Sequence, residues 1–179
     1  MDQLTKLDTR FSRRCALPVA SPWWRLVRPV AHLGDGPYVF GGLVLFYLLG
    51  WLIDDVYLRQ ANLIITVEIL LVMLTITLIK YLIRRERPQP PGEFVTFRYD
   101  AYSFPSGHAA RMAALAMGVT FFFPTLAWLA VGVALGVALA RVVVGVHYVG
   151  DILAGIVIGI ILTGVSAWLL QCLVLLPTS

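Results

Sequence analysis

Five long apolar stretches, separated by short polar segments, run from residue 37 to residue 176 of the chain. A transmembrane helix needs about 20 mostly apolar residues, because all of its backbone hydrogen bonds must be made within the segment. The pattern therefore predicts an all-α fold, a polytopic membrane helix bundle with five spans. The predicted spans are Pro37–Ile53, Ala61–Ile83, Gly107–Phe123, Thr125–Val144 and Val149–Leu176.

Residues 1–36 form a basic segment with adjacent tryptophans rather than an apolar stretch. Arginine and tryptophan together favour the head-group interface of a bilayer. We therefore predict that Pro22–Leu33 is an amphipathic helix in the membrane plane, with a disordered basic tail as the alternative for residues 1–17. The chain then divides into an interfacial segment, residues 1–36, and a membrane-embedded domain, residues 37–176. A sixth span within the first 36 residues is the alternative.

The composition agrees with a membrane protein and gives no reason to expect a nucleic-acid partner. Hydrophobic residues make up 59% of the 179 residues, above the roughly 45–50% of soluble domains. The formal net charge is only +4. Because the basic residues cluster near the ends of the predicted spans, they favour contact with phosphates or lipid head groups.

The alternation of the five spans assigns each connecting segment to one of two membrane faces. One face, called side one, receives the N-terminus and the segments 84–106 and 144–148. The other, side two, receives the segment 54–60, the turn at Pro124 and the C-terminus. Charged residues, histidines and glycines concentrate on side one, so we predict that side one carries the functional site.

The first polar motif, KYLIRRERP, spans Lys80 to Pro88 at the end of the second predicted span. Lys80 and Arg87 are seven residues apart, about two turns, so a continuous helix would place both cations on one face. Pro88 would then help to end that helix. Cations are also common membrane anchors at span ends, so a structural role stays open for this motif taken alone.

The second motif, SFPSGHAAR, precedes the third span. Ser106 is predicted to cap a helix that starts near Gly107, where unpaired N–H groups and the helix dipole attract an anion. His108 would lie in the first turn, beside that anion. Arg111, one turn deeper, is a candidate for contact with a substrate head group, with a structural ion pair as the alternative.

The third motif, ARVVVGVHYVGD, joins the fourth and fifth spans. Arg141 lies at the end of the fourth span. His147 and Asp151 are four residues apart, so within a helix they would share a face. A carboxylate that accepts a hydrogen bond from one imidazole nitrogen leaves the other nitrogen free as a base or nucleophile. A buried pair with a purely structural role is the alternative.

Taken together, the three motifs resemble the signature of the type 2 phosphatidic acid phosphatase family, the lipid phosphate phosphatases that share a site with vanadium haloperoxidases. The order, the spacing and the span context match over roughly residues 37–170. The matching elements are Lys80-x6-Arg87-Pro88, Pro105-Ser106-Gly107-His108 and Arg141-x5-His147-x3-Asp151.

The resemblance implies hydrolysis of a phosphomonoester or pyrophosphate through a phosphohistidine. It makes His147 the nucleophile, Asp151 the carboxylate that orients it, and His108 the acid that protonates the leaving oxygen. The phosphate-binding residues would be Lys80, Arg87, Ser106, Gly107 and Arg141.

Two further expectations concern cofactors and departures from the family pattern. We expect no cofactor and no metal, since cationic side chains supply the charge and the acids of side one are dispersed along the sequence. The family usually has serine where this chain has Ala140, which puts one phosphate hydrogen bond in doubt. Membrane members of the family also commonly have six spans.

The expected partner is a phosphorylated lipid in the bilayer, and the oligomeric state stays open. Phosphatidic acid, phosphatidylglycerophosphate and polyprenyl phosphates or diphosphates all remain candidate substrates. A lipid phosphotransferase would use the same residues. A channel or transporter is disfavoured, because polar residues are not distributed through the spans.

Two arguments oppose each other on the orientation in the membrane. The arginines of side one place it in the cytoplasm by the positive-inside rule. The resemblance implies the other side, because bacterial lipid phosphatases of this type often act there, and arginines that bind substrate escape the rule. We favour an extracytoplasmic active site on the same face as the N-terminus.

Overall fold

The computed structural model describes residues 3–88 and 102–172, and within those ranges all regular secondary structure is helical. The predicted all-α fold is therefore confirmed. A single 3-10 turn, Pro124–Leu126, lies between the fifth and sixth helices. The helices are α1 (Gln3–Cys15), α2 (Pro22–His32), α3 (Gly36–Leu52), α4 (Val56–Ile83), α5 (Gly107–Phe122), α6 (Ala127–Val143) and α7 (Val149–Cys172).

Helices α3 to α7 correspond to the five predicted spans. Three of these stretches are long and apolar enough to cross a membrane on their own: α4, α6 with its preceding turn, and α7. Helices α2 and α3 pass the same test as a pair bent by 49°, which raises the number to four. The five-span and six-span topologies therefore both remain predictions. The outer surfaces of α3, α4, α6 and α7 expose many large apolar side chains, as expected for an integral membrane protein.

Helix α5 lies at the centre of the bundle and packs against α4, α6 and α7. Its contact with α7 is close because α7 carries glycines where it crosses α5. A Cβ atom on Gly155 would lie 2.5 Å from the Ser106 carbonyl oxygen, and one on Gly159 would lie 2.5 Å from that of Ala110. The start of α5 is further tied to α7 because Ser106 donates its N–H to the Asp151 carbonyl at 3.0 Å.

The N-terminal helices pack on the same end of the bundle as the third motif. Helix α1 contacts α6 and α7, and α2 contacts α6. Trp24 of α2 is 2% exposed and packs against Ala140, Val144 and Val146. A helix is present where Pro22–Leu33 was predicted to form one, but its position in the membrane plane stays a prediction. The alternative of a disordered tail is wrong for residues 3–15, which form α1.

Helix α4 ends earlier than the sequence suggested. Arg84 adopts the left-handed conformation, with φ 51° and ψ 37°, and closes the helix after Ile83. A residue in this conformation is a common helix terminator. The prediction of a continuous helix that reaches Arg87 and ends at Pro88 is therefore wrong.

Candidate active site

Residues from all three motifs meet at one end of the bundle. They lie at the end of α4, at the start of α5, at the end of α6 and in the turn before α7. Most are withdrawn from solvent, although their side chains are polar or charged. The buried members are Lys80, Ser106, Gly107, Arg141, His147 and Asp151.

The two cations of the first motif converge through a turn rather than along one helix face. Lys80 donates from Nζ to the Tyr102 carbonyl oxygen at 2.6 Å. Arg87, which follows the end of α4, donates from Nη2 to the same oxygen at 3.4 Å. Lys80 and Arg87 therefore do come together, but the chain that follows the end of α4 brings Arg87 back to Lys80. They do not share one helix face, as the sequence had suggested.

The start of α5 matches the prediction for the second motif. Ser106 is the N-cap, and its Oγ accepts a hydrogen bond from the Ala109 N–H at 3.4 Å. Gly107 and His108 follow in the first turn and line a cavity of about 180 Å³. Lys80 lines its polar part, and Met73 and Ile76 of α4 line its apolar part. The cavity thus joins a cationic end to an apolar wall.

In the third motif, His147 and Asp151 meet across a helix-capping turn. Helix α7 starts at Val149, so His147 precedes it and the two residues are not one turn apart within a helix, as the sequence had suggested. Asp151 accepts the Tyr148 N–H at Oδ2, at 2.9 Å. The same Oδ2 is 3.6 Å from Nδ1 of His147. That proximity leaves Nε2 of His147 as the nitrogen remote from the carboxylate.

The surroundings of His147 favour its neutral form. The side chain is fully buried, and burial lowers the pKa of His147 well below its ordinary value. The positive charges of Arg141, Arg87 and Lys80 lower that pKa further. A neutral imidazole has a free lone pair, which is the form that a nucleophile needs.

The carboxylate of Asp151 is held by a chain of charged side chains that the sequence pattern did not predict. Arg85 donates from Nη1 to Oδ1 of Asp151 at 2.7 Å and from Nη2 to Oδ2 of Asp8 at 2.8 Å. Asp8, in α1, also accepts the Gly150 N–H at 3.0 Å. Arg85 lies within the first motif, but nothing in the sequence around Asp8 indicated a contact with Gly150, 142 residues away.

A second missed group surrounds His108. Its Nε2 lies 2.5 Å from Oδ1 of Asp35, and Oδ2 of Asp35 lies 2.8 Å from Nδ1 of His32. Burial raises the pKa of Asp35, but its hydrogen bonds to His108 and His32 outweigh this effect and bring the pKa to about 2. Asp35 is therefore a carboxylate throughout the ordinary pH range.

Arg111 lies at the wall of the same cavity. It donates from Nη1 to the Gly34 carbonyl oxygen at 2.5 Å and from Nη2 to the Met73 sulfur at 3.5 Å. These contacts tie the α2–α3 turn to α5. Contact between Arg111 and a substrate head group stays a prediction.

Within residues 3–88 and 102–172, no group of three or more His, Cys, Asp or Glu side chains is arranged to hold a metal ion. Glu93 and Asp100, two acids of the segment 84–106 on side one, lie outside the described residues. Ala140 is buried and packs in a cluster with Trp24, so this position has no hydroxyl to offer a phosphate.

Comparison with known proteins identifies relatives of this chain. A model of the PAP2 superfamily matches residues 61–173. The decaprenylphosphoryl-5-phosphoribose phosphatase of Mycobacterium tuberculosis is 40% identical over 85 residues, 46% of each chain. The lipid A 1-phosphatase of Rhizobium etli is 30% identical over 89 residues, 46% of this chain and 38% of that one. The chain thus aligns with less than half the length of these curated relatives.

Two solved structures share the fold. The crystal structure of a transmembrane PAP2-type phosphatidylglycerolphosphate phosphatase from Bacillus subtilis has a TM-score of 0.79 at 22% identity, and covers 96% of this chain and 88% of that one. The structure of Aquifex aeolicus LpxE has a TM-score of 0.65, also at 22% identity, and covers 90% of this chain and 95% of that one.

Proposed function

Because the chain belongs to the PAP2 superfamily, we propose that it is an integral membrane phosphatase that hydrolyses a lipid phosphomonoester or diphosphate. One observation carries this proposal. A buried histidine, His147, lies beside the Asp151 carboxylate and within the field of Lys80, Arg87 and Arg141. A nucleophile with an orienting acid and three cations is suited to phosphoryl transfer, which needs mainly positioning and charge stabilisation.

In the first step, Nε2 of His147 attacks phosphorus in line with the leaving oxygen. The N–P bond forms as the P–O bond breaks, and His108 gives a proton to the oxygen that departs. Asp151, held by Arg85, has Oδ2 at 3.6 Å from Nδ1 of His147, and its negative charge stabilises the positive charge that develops on the ring. The product of this step is a phosphohistidine and a free lipid alcohol or lipid monophosphate.

In the second step, water attacks the phosphohistidine. His108, now neutral, takes a proton from that water, and the N–P bond breaks to release phosphate and restore His147. Protons balance over the two steps, since His108 loses one and regains one. Lys80, Arg87 and Arg141 balance the charge on the phosphoryl oxygens in both steps, together with the N–H groups at the start of α5.

The cavity beside His108 supports a lipid as the substrate. Its cationic end suits a phosphate, and its apolar wall on α4 suits the hydrocarbon next to the phosphate. The matched relatives act, by their names, on a decaprenyl-linked sugar phosphate and on lipid A. A phosphate on a long-chain lipid is common to both, and we propose that class for this chain.

A phosphate-release panel tests the function. Purified protein in detergent is given phosphatidic acid, phosphatidylglycerophosphate, and undecaprenyl phosphate and diphosphate, with EDTA present throughout. We expect release of inorganic phosphate from at least one lipid and competition by orthovanadate, which mimics the five-coordinate transition state. Activity that EDTA abolishes and Mg²⁺ restores would contradict the mechanism. Phosphate transferred to an acceptor lipid, with none released, would identify a phosphotransferase.

A further inference from the structure

We propose that Asp35, supported by His32, is a positioning residue for the acid His108. Asp35 and His108 then form a second histidine–carboxylate unit, which acts on the leaving oxygen while His147 and Asp151 act on phosphorus. This inference rests on the proposed function, because it assigns a role in proton transfer. The family model matches only residues 61–173, so Asp35 and His32 lie outside the matched region.

Asp35 does not cap the helix at whose start it lies. It occupies the N-cap position of α3, but its side chain makes no capping hydrogen bond. Aspartate is among the best capping residues, so its side chain forgoes a stabilising bond that the position offers. Both carboxylate oxygens contact histidines instead, Oδ1 with His108 and Oδ2 with His32.

The contact with Asp35 selects the tautomer of His108. Its Nε2 lies against the Asp35 carboxylate, so a proton stays on Nε2 as a donor. Nδ1 is then the nitrogen that can lose a proton to the leaving oxygen and later take one from water. Without Asp35, a neutral His108 could carry its proton on either nitrogen, and only one of those forms could act as the base in the second step.

Asp35 also places a negative charge beside the ring of His108. A general acid must hold a proton before it can donate one, yet the site around His108 is cationic because it binds phosphate. Asp35 is the carboxylate against the ring and balances the imidazolium, and His32 holds its second oxygen. Burial of the ring, Arg141 on α6 and Arg111 on its own helix oppose protonation of His108. The other charged or titratable groups nearby are Lys80 of α4, which lines the same cavity, and His147 in the turn before α7.

The α2–α3 turn is also held in place by α5. Arg111 donates to the carbonyl oxygen of Gly34, the residue before Asp35. The carboxylate is thus fixed to α5 at two adjacent points, through Gly34 to Arg111 and through its own side chain to His108. A fixed carboxylate can orient a ring, whereas a mobile one would be free to compete with the substrate phosphate for the cations.

Leaving-group dependence tests the inference, because only the proton donor is sensitive to the leaving group. The variant Asp35→Asn is assayed with a lipid phosphate, whose alkoxide needs a proton to depart, and with p-nitrophenyl phosphate, whose phenolate does not. We expect kcat/KM, which reports the steps up to departure of the leaving group, to fall about tenfold to a hundredfold for the lipid, part of what general acid catalysis contributes, and by less than about threefold for p-nitrophenyl phosphate. The alkaline limb of the lipid pH–rate profile should move to lower pH.

Equal losses on both substrates, with no change in the pH profile, would show a structural role and overturn the inference. Asp54→Asn is the matched control, since Asp54 is an exposed acid in the α3–α4 connection, paired with Arg59 at 3.4 Å. If Asp35→Asn does not yield folded protein, His32→Asn takes its place, and we expect a smaller loss with the same dependence on the leaving group. If wild-type protein hydrolyses neither substrate, the proposed function itself fails and the inference fails with it.

Discussion

At the scale of single residues, the proposed mechanism requires opposite protonation states of the two histidines of the site. His147 must be neutral to attack phosphorus, and it is fully buried among cations. His108 must carry a proton to donate one, and it lies against a carboxylate. The same cationic pocket therefore acts on two imidazoles, but Asp35 contacts His108 at hydrogen-bond distance, whereas Asp151 is 3.6 Å from the ring of His147.

Replacement of His147 gives the most direct test of the nucleophile. We expect His147→Asn to lower kcat by at least about a thousandfold, because the variant lacks the nitrogen that we propose attacks phosphorus. Binding of orthovanadate, measured by calorimetry, should persist because the cations remain. A phosphoenzyme trapped on another residue of wild-type protein, or an active variant, would refute the assignment.

The buried neutral state of His147 also predicts how stability depends on pH. Its pKa is lowered in the folded protein, whereas an unfolded histidine titrates near about 6.5. Below that pH the unfolded chain binds a proton that the folded chain does not, so stability falls as the pH falls. Thermal midpoints from about pH 8 to pH 5 should decline less steeply for His147→Asn than for wild type. Parallel declines would contradict this account.

Some of these residues could be predicted from sequence, and others could not. Ser106 as a cap and the joining of His147 with Asp151 depend on contacts a few residues apart, which local rules describe. Asp35 reaches His108 across 73 residues and Asp8 reaches Arg85 across 77. No local rule ranks one acid above another for such contacts, because they depend on how whole helices pack.

At the scale of helices, α1 does more than lie at the membrane surface. Asp8 accepts the Gly150 N–H near the start of α7, and Ser12 accepts the N–H of Val149 at 2.9 Å. Two side chains of α1 thus satisfy backbone donors that the first turn of α7 leaves unpaired. Through Arg85, Asp8 also holds the carboxylate that orients the nucleophile.

The variant Asp8→Asn tests this link. We expect kcat to fall about tenfold, because Arg85 loses one of its two carboxylate partners and holds Asp151 less firmly. KM should change little, since Asp8 is not among the phosphate-binding residues. Arg10→Gln, at an exposed position of the same helix, is the control and should behave as wild type. A loss confined to KM would argue against positioning.

The close contact between α5 and α7 gives a second prediction at this scale. A Cβ on Gly155 would lie 2.5 Å from the Ser106 carbonyl oxygen, so Gly155→Ala must push the helices apart. We expect a loss of about 1–3 kcal/mol in stability and a fall in kcat, because Ser106 and Asp151 lie on the two separated helices. Gly132→Ala, where nothing lies within 4 Å, should be neutral or slightly stabilising. Chemical unfolding in mixed micelles compares the two.

Helix positions were predicted well from apolar runs, but one helix end was not. The end of α4 depends on the left-handed backbone of Arg84, which an arginine rarely adopts and which its sequence neighbours do not indicate. The number of membrane spans also cannot be predicted from the apolar pattern, because α3 and α5 have only 17 and 16 residues. Whether such short helices cross a bilayer depends on local thickness and tilt.

At the scale of the whole molecule, α1 and the site lie at the same end of the bundle, and we propose that this end is extracytoplasmic. Single cysteines at Arg10 and at Gln60, with Cys15 and Cys172 replaced by alanine, test the orientation. In intact cells, an impermeant maleimide should label the cysteine at position 10 and should reach the one at position 60 only after lysis. The reverse pattern would place the site in the cytoplasm, and equal labelling would refute the predicted topology.

The length of α4 sets the depth at which the reaction takes place. Its 28 residues extend about 42 Å, whereas the hydrocarbon core is about 30 Å thick. If α4 crosses the bilayer upright and centred, we expect Lys80, in its last turn, at the edge of the head-group layer, where a lipid can present its phosphate without leaving the bilayer. Encounters then occur by lateral diffusion in two dimensions, so turnover follows the mole fraction of substrate in the membrane or micelle rather than its bulk concentration. Neutral detergent added at constant total substrate acts as a surface diluent and slows the enzyme without binding to it.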